Sequence, residues 1–159
     1  MNEFEKLIKP IISNKEFKKR KHYLHHDDSV YEHSLNVATK TYQWSKRLGL
    51  DWKSATIGAL LHDFYLECWQ TNKKKGKVWE AHGFTHAGEA AVNAKRHFPE
   101  LINKKVENII KRHMFPLTIT PPFYLESWLV TIIDKLVSLK ILTKPKDWPK
   151  YLGLRRNKK

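Results

Sequence analysis

Apolar residues in this chain recur every three or four positions over long stretches, and short polar or proline-containing breaks separate these stretches. This spacing places the apolar side chains on one face of a helix, whereas few segments show the period of two that is typical of strands. Asp51 can cap one helix at its start, and Gly49 and Pro99 can end two others. The pattern predicts an all-α fold with helices over about 2–20 (disturbed at Pro10), 29–48, 51–63, 85–98, 100–113 and 121–142.

The length of 159 residues predicts a single domain over 1–159, which is large enough to bury one core. The chain has no apolar run of about 18 residues that could cross a bilayer. Residues 1–9 mix acids with lysines and lack the apolar centre of a signal peptide. Cys68 is the only cysteine, which excludes an intrachain disulfide and fits a reducing compartment. We therefore expect a cytoplasmic protein.

The net charge of +14 has two interpretations. It could serve an anionic partner, such as a phosphorylated substrate, nucleic acid or an anionic surface. It could equally reflect a biased genome, since asparagine, isoleucine and lysine are all abundant. The charge alone does not decide between these two interpretations.

Six ionisable side chains fall on the inward faces of the predicted helices. Each lies three or four residues from an apolar residue of its own helix, so each is expected to point toward the interior. A single histidine in such a position is usually a hydrogen-bonded core residue. The six are His33, His62, Asp63, His86, His113 and Asp134.

Two aspartates in this set make a metal site the simpler explanation. A buried carboxylate without a partner is costly, and a shared cation would neutralise both Asp63 and Asp134. Imidazole together with carboxylate suits iron, manganese or zinc. No cysteine belongs to the set, which argues against a closed structural zinc site.

The order and local sequence of these residues resemble those of HD-domain metal-dependent phosphohydrolases. The family pattern H…HD…D is matched by His33 in SVYEHSLNVA, by His62-Asp63 in ALLHDF and by Asp134 in TIIDKLVSL. The strings THAGEA and IIKRHMFP are similar to those of the members that bind two metals. The resemblance covers about residues 23–140, which it predicts to form a helical bundle around a central dinuclear metal site. From its own aromatic and basic residues, the segment 141–159 is expected to pack as a basic C-terminal cap.

The resemblance implies a role for each of the six residues. One metal would be held by His33, His62 and Asp134, the other by His86 and His113, and Asp63 would bridge them. The implied cofactors are two divalent transition metal ions, foremost Fe or Mn, with Zn, Ni, Co and Mg as further candidates. A metal-activated hydroxide would then attack phosphorus.

Two local features depart from better-known members of the family. Several members carry a lysine a few residues after the HD pair, and HDFYLECW has none, so that phosphate contact is missing or replaced. His82 lies four residues before His86 and could compete as a ligand or act as a catalytic base. We assign the ligand role to His86, because the family's ligand stands near a helix start and is followed by small residues, here Ala87 and Gly88.

The expected function is hydrolysis of a phosphate ester or anhydride in a nucleotide or another small phosphorylated molecule. Some members of the family are mixed-valent di-iron oxygenases with the same six ligands, so the ligands cannot separate the two reactions. A nucleic-acid binder or nuclease is a third alternative; the charge favours it, but no binding motif is present. No membrane partner is expected, and the sequence leaves the oligomeric state open. Candidate phosphate contacts are Arg112, Lys135, Lys73, Lys74, Lys75 and Lys77.

The basic run Lys73–Lys77 lies between the HD pair and His86, so we expect it near the mouth of the site. Replacing its four lysines with glutamine should raise KM and leave kcat nearly unchanged, because these charges would help capture substrate rather than assist chemistry. The effect should fade as salt screens charges beyond about 8 Å near physiological ionic strength. Steady-state kinetics at low and high salt measure this, and an unchanged KM at low salt would identify the run as a solvated loop.

Overall fold

The computed structural model describes residues 1–25, 28–65 and 82–141, and its regular structure there is almost entirely helical. The all-α prediction is confirmed. A two-residue antiparallel pair joins β1 (Leu24–His25) to β2 (Asp28–Ser29), and 3-10 turns span Lys19–His22 and Pro99–Leu101. No helix in the described ranges has the length and apolar character needed to span a bilayer. The α-helices are α1 (Glu3–Ser13), α2 (Lys15–Lys18), α3 (Val30–Arg47), α4 (Trp52–Leu61), α5 (His82–His97), α6 (Lys104–Arg112) and α7 (Leu125–Ser138).

Helix α4 lies at the centre of the bundle. Every side chain from Ser54 to Leu61 is buried, and the helix packs against α3, α6 and α7. A helix that is largely apolar around its whole circumference must be enclosed by other elements. Because α4 ends just before His62 and Asp63, this enclosure carries both residues into the interior.

Local side-chain contacts set the helix starts. Ser29 and Glu32 form a reciprocal capping box at the start of α3. The Asp51 carboxylate accepts a hydrogen bond from the Ser54 backbone N–H at 3.1 Å, as predicted for the start of α4. Gly49 adopts a φ of +66° just after α3, which confirms the predicted stop.

Several helix boundaries differ from the sequence-based prediction: α5 begins at His82 rather than at residue 85, and α7 ends at Ser138 rather than at residue 142. The first break falls at Asn14 rather than Pro10, because the Asn14 side chain caps a new helix and α1 continues through the proline. Helix α6 begins after Asn103, whose side chain accepts a backbone N–H, and not at residue 100. Helix α7 begins at Leu125 rather than at the prolines that precede it. The basic run Lys73–Lys77 and the predicted cap from residue 142 onward lie outside the described residues.

Gly58 allows α4 and α6 to approach each other closely. A Cβ atom at this position would lie 2.7 Å from Ile109 Cγ2 and 2.8 Å from Ile109 Cβ. Ile109 is fully buried and branched at Cβ, so it has little freedom to move away. The close crossing of α4 and α6 therefore helps to position His62, Asp63 and His113, the predicted metal ligands that follow these two helices.

Gly58→Ala should lower the free energy of unfolding by about 1–3 kcal/mol, because overpacking outweighs the better helix propensity of alanine. Gly88→Ala is the matched control, since it makes the same substitution within α5 where nothing lies within 4 Å of the added Cβ. That control should gain about 0.5–1 kcal/mol. Urea denaturation measures both, and a Gly58→Ala variant as stable as the parent would contradict the close crossing.

Candidate metal centre

Five helices bring the six predicted ligands together at the middle of the bundle. Three of these residues project from within α3, α5 and α7, and three follow the C-terminal ends of α4 and α6. All six are buried, and the most exposed, Asp134, keeps 8% of its surface. They are His33 on α3, His62 and Asp63 after α4, His86 on α5, His113 after α6 and Asp134 on α7.

The first group of ligand atoms surrounds Asp134. His33 Nε2 lies 2.9 Å and His62 Nε2 lies 3.4 Å from Asp134 Oδ1. A metal with nitrogen and oxygen ligands at about 2.0–2.2 Å holds neighbouring ligand atoms about 3.0–3.5 Å apart. These three side chains therefore already have the spacing of one coordination shell.

The second group surrounds Asp63. Its Oδ1 lies 3.3 Å from His86 Nε2 and 3.5 Å from His113 Nε2, and the two imidazole nitrogens are 3.1 Å apart. Its Oδ2 lies 3.2 Å from His62 Nε2, on the side of the first group. One Asp63 oxygen thus faces each group, which is the arrangement of a bridging carboxylate.

Backbone carbonyls orient two of the four imidazoles. His62 Nδ1 lies 2.7 Å from the Ala59 carbonyl oxygen, and His113 Nδ1 lies 2.8 Å from the Ile110 carbonyl oxygen. A carbonyl only accepts, so each Nδ1 carries the proton and donates it. In the neutral ring the lone pair is then on Nε2, which points into the cluster.

His62 Nε2 provides the test of whether a cation fits. It is buried and makes no well-formed hydrogen bond to any described residue, although it lies 3.2 Å from Asp63 Oδ2 and 3.4 Å from Asp134 Oδ1. Either a proton on Nε2 or a bound cation is needed between this nitrogen and the two carboxylates, and a shared cation would satisfy all three groups at once. The donor set and its spacing therefore fit divalent metal ions.

The pKa values show that this interior requires positive charge. Burial lowers the pKa of His62, but Asp63 and Asp134 outweigh burial and hold that pKa well above its usual value. Burial would raise the pKa of Asp63 and of Asp134, but the neighbouring imidazoles hold both well below their usual values. Burial lowers the pKa of His113, which leaves that ring neutral and able to bind a metal. Metal binding at such a site displaces protons from the histidines.

The C-terminal ends of α4 and α6 also favour positive charge at the cluster. His62 and His113 are the C-cap residues of α4 and α6, so the negative ends of both helix dipoles point at the cluster. Asn93 donates a hydrogen bond from Nδ2 to the Phe64 carbonyl oxygen at 3.1 Å, which supports the chain just after Asp63. The sequence analysis missed Asn93, although it lies two helical turns after His86 on the same face of α5.

The other predicted site residues are those expected to act as a base or to contact phosphate. Lys135 Nζ donates to the His113 carbonyl oxygen at 3.0 Å, which ties α7 to the end of α6. Arg112 is half-buried at the last residue of α6. His82 is the first residue of α5, and its side chain lies outside the described part of the structure. Lys73, Lys74, Lys75 and Lys77 also lie outside it, so the phosphate contacts stay predictions.

A family model described as HD domain matches residues 30–139, which is more than half of the chain. The chain therefore belongs to the HD-domain family. The match includes all six residues of the cluster. No curated protein and no solved structure matches the chain at a significant level.

Asp63→Ala should lose both metal ions, because it removes the bridge and leaves the imidazoles crowded. His113→Ala should lose mainly one, since the Asp134 group stays intact. His22→Ala is the control: it removes an exposed histidine and should keep the full complement. Elemental analysis of protein purified without chelators measures the ratio, and a full complement in Asp63→Ala would exclude the bridging role.

Proposed function

We propose that the protein is a metal-dependent phosphohydrolase that cleaves a phosphate ester or anhydride of a nucleotide or another small phosphorylated molecule. Membership of the HD-domain family supports this class of activity. The observation that carries the proposal is Asp63, whose two oxygens face separate groups of histidines in a buried cluster. The lone Cys68 supports a reducing, cytoplasmic setting.

In this reaction the side chains of the protein would hold the metal ions and keep the metal-binding imidazole rings oriented toward them. His33, His62 and Asp134 would hold one ion, His86 and His113 the other, and Asp63 would contact both. Bound divalent ions supply Lewis acidity and a water of lowered pKa. The carbonyl-bound rings of His62 and His113 keep their Nε2 atoms aimed at the ions without reorganisation.

Charge explains why a phosphate is the expected substrate group. The two carboxylates balance only half the charge of two divalent ions, so the loaded centre remains positive. Lys135 lies beside it, and burial lowers the pKa of Lys135 although Asp134 opposes this. A positive, largely buried centre attracts an anionic group and strengthens its binding.

Hydrolysis in ¹⁸O-labelled water tests the proposal against the oxygenase alternative. Metal-loaded protein with a panel of nucleotides and other phosphate esters should release phosphate that carries ¹⁸O, without consuming O2. Asp63→Ala should lower turnover on the order of 10³-fold or more, as loss of a residue from a catalytic centre does. The His22→Ala control should match the parent. Iron-dependent O2 consumption without phosphate release would contradict hydrolysis and favour the oxygenase.

A further inference from the structure

Arg20 is a buried cation in the N-terminal part of the chain, outside the segment matched by the family model. It lies in the 3-10 turn after α2 and keeps 1% of its surface exposed. Its guanidinium carbon lies 4.7 Å from the centre of the Phe64 ring and 5.2 Å from that of Tyr23. The guanidinium thus lies over two aromatic rings, which stabilise its positive charge but are not conventional hydrogen-bond acceptors for its N–H groups.

Within the described part of the chain, only one of the three guanidinium nitrogens of Arg20 has a hydrogen-bond acceptor. Nη1 donates to the Glu16 carbonyl oxygen at 2.8 Å. Nε and Nη2 are buried, and within residues 1–25, 28–65 and 82–141 they have no hydrogen-bond partner and no carboxylate forms an ion pair with Arg20. Burial lowers the pKa of Arg20, but a guanidinium stays protonated in proteins. A charged group with two unpaired donors in the interior calls for an anion.

Arg20 lies beside the metal centre. Phe64, whose ring lies under the guanidinium, directly follows the ligand Asp63. The ring centres of Tyr65 and His86 are 6.1 Å apart in an edge-to-face arrangement, and the Tyr65 ring is also nearly parallel to that of Tyr23 at 6.3 Å. Phe64 thus connects Arg20 to the chain at Asp63, and Tyr65 connects the ligand His86 to Tyr23, which lies against the guanidinium.

We infer that Arg20 binds a phosphate group of the substrate through Nε and Nη2 while the metal centre acts on the substrate. Nε and one Nη form a two-pronged donor that matches two oxygens of a phosphate. Of the two rings around Arg20, Phe64 is fully buried and Tyr23 is half-buried, so a phosphate would reach the guanidinium by displacing Tyr23. The inference rests on the proposed function and gives it a phosphate contact that the HD segment lacks where other members have a lysine.

The test measures binding of phenylphosphonate, a phosphate mimic that cannot be hydrolysed, to the full-length, metal-loaded protein by calorimetry. Arg20→Met keeps the apolar stem and removes the charge, and should weaken the Kd at least about tenfold, the loss expected for charge-assisted hydrogen bonds. Arg47→Met is the matched control, because Arg47 also lies over an aromatic ring, Trp44 at 5.8 Å, but is exposed. Its Kd should stay within about twofold of the parent.

A metal measurement and a second variant show whether a weaker Kd results from the loss of the guanidinium. Elemental analysis must show an unchanged metal complement in Arg20→Met, so that weaker binding reports the lost guanidinium. If Arg20→Met does not fold, Arg20→Lys takes its place, since lysine keeps the charge but not the two-pronged donor. An unchanged Kd in the variant that folds overturns the inference and leaves Arg20 as a packing residue.

Turnover separates this inference from the proposed function. If a phosphate substrate is hydrolysed, Arg20→Met should raise its KM at least as much as it weakens phenylphosphonate binding. A weakened Kd with an unchanged KM would place the anion site away from the substrate and overturn the assignment. If no phosphate ester is hydrolysed at all, the proposed function fails, while the phenylphosphonate measurement still decides whether Arg20 forms an anion site.

Discussion

The structure depends on the pairing of two buried carboxylates with positive charge. Asp63 and Asp134 lie in the interior of an apolar helical bundle, where an ionised carboxylate is stable only beside a compensating charge. The imidazoles around them lower their pKa values, and metal ions would replace the proton on His62. The bundle converges on this pairing, since the two aspartates and four histidines come from five helices.

The helix ends make this convergence possible. Histidines at the ends of α4 and α6 donate Nδ1–H to carbonyls of their own last turns, and so present Nε2 to the centre in a fixed tautomer. The same ends direct the negative poles of two helix dipoles at the cluster, where they would stabilise bound cations. Gly58 lets these two helices approach at van der Waals contact, so a small backbone feature one turn before His62 supports the geometry of the centre.

The sequence predicted the helices and the cluster because both follow from local periodicity. His33 and Asp134 stand on apolar stripes, so their inward direction can be inferred without a structure. Arg20 could not be found in this way, since its burial depends on Phe64 and Tyr23, which reach it only through the tertiary fold. The start of α7 was also misplaced: prolines permit a helix start without fixing it, and α7 begins at Leu125, after Pro121 and Pro122.

The central claim is that the six side chains form one dinuclear metal centre, and anomalous diffraction from crystals of the metal-loaded protein tests it most directly. At the absorption edge of the bound metal, the account predicts two peaks about 3.5–4 Å apart, the usual spacing of paired catalytic metals. One peak should lie within bonding distance of His33, His62 and Asp134, the other of His86 and His113, and both of Asp63. A single peak, or peaks bound to other residues, would contradict the claim.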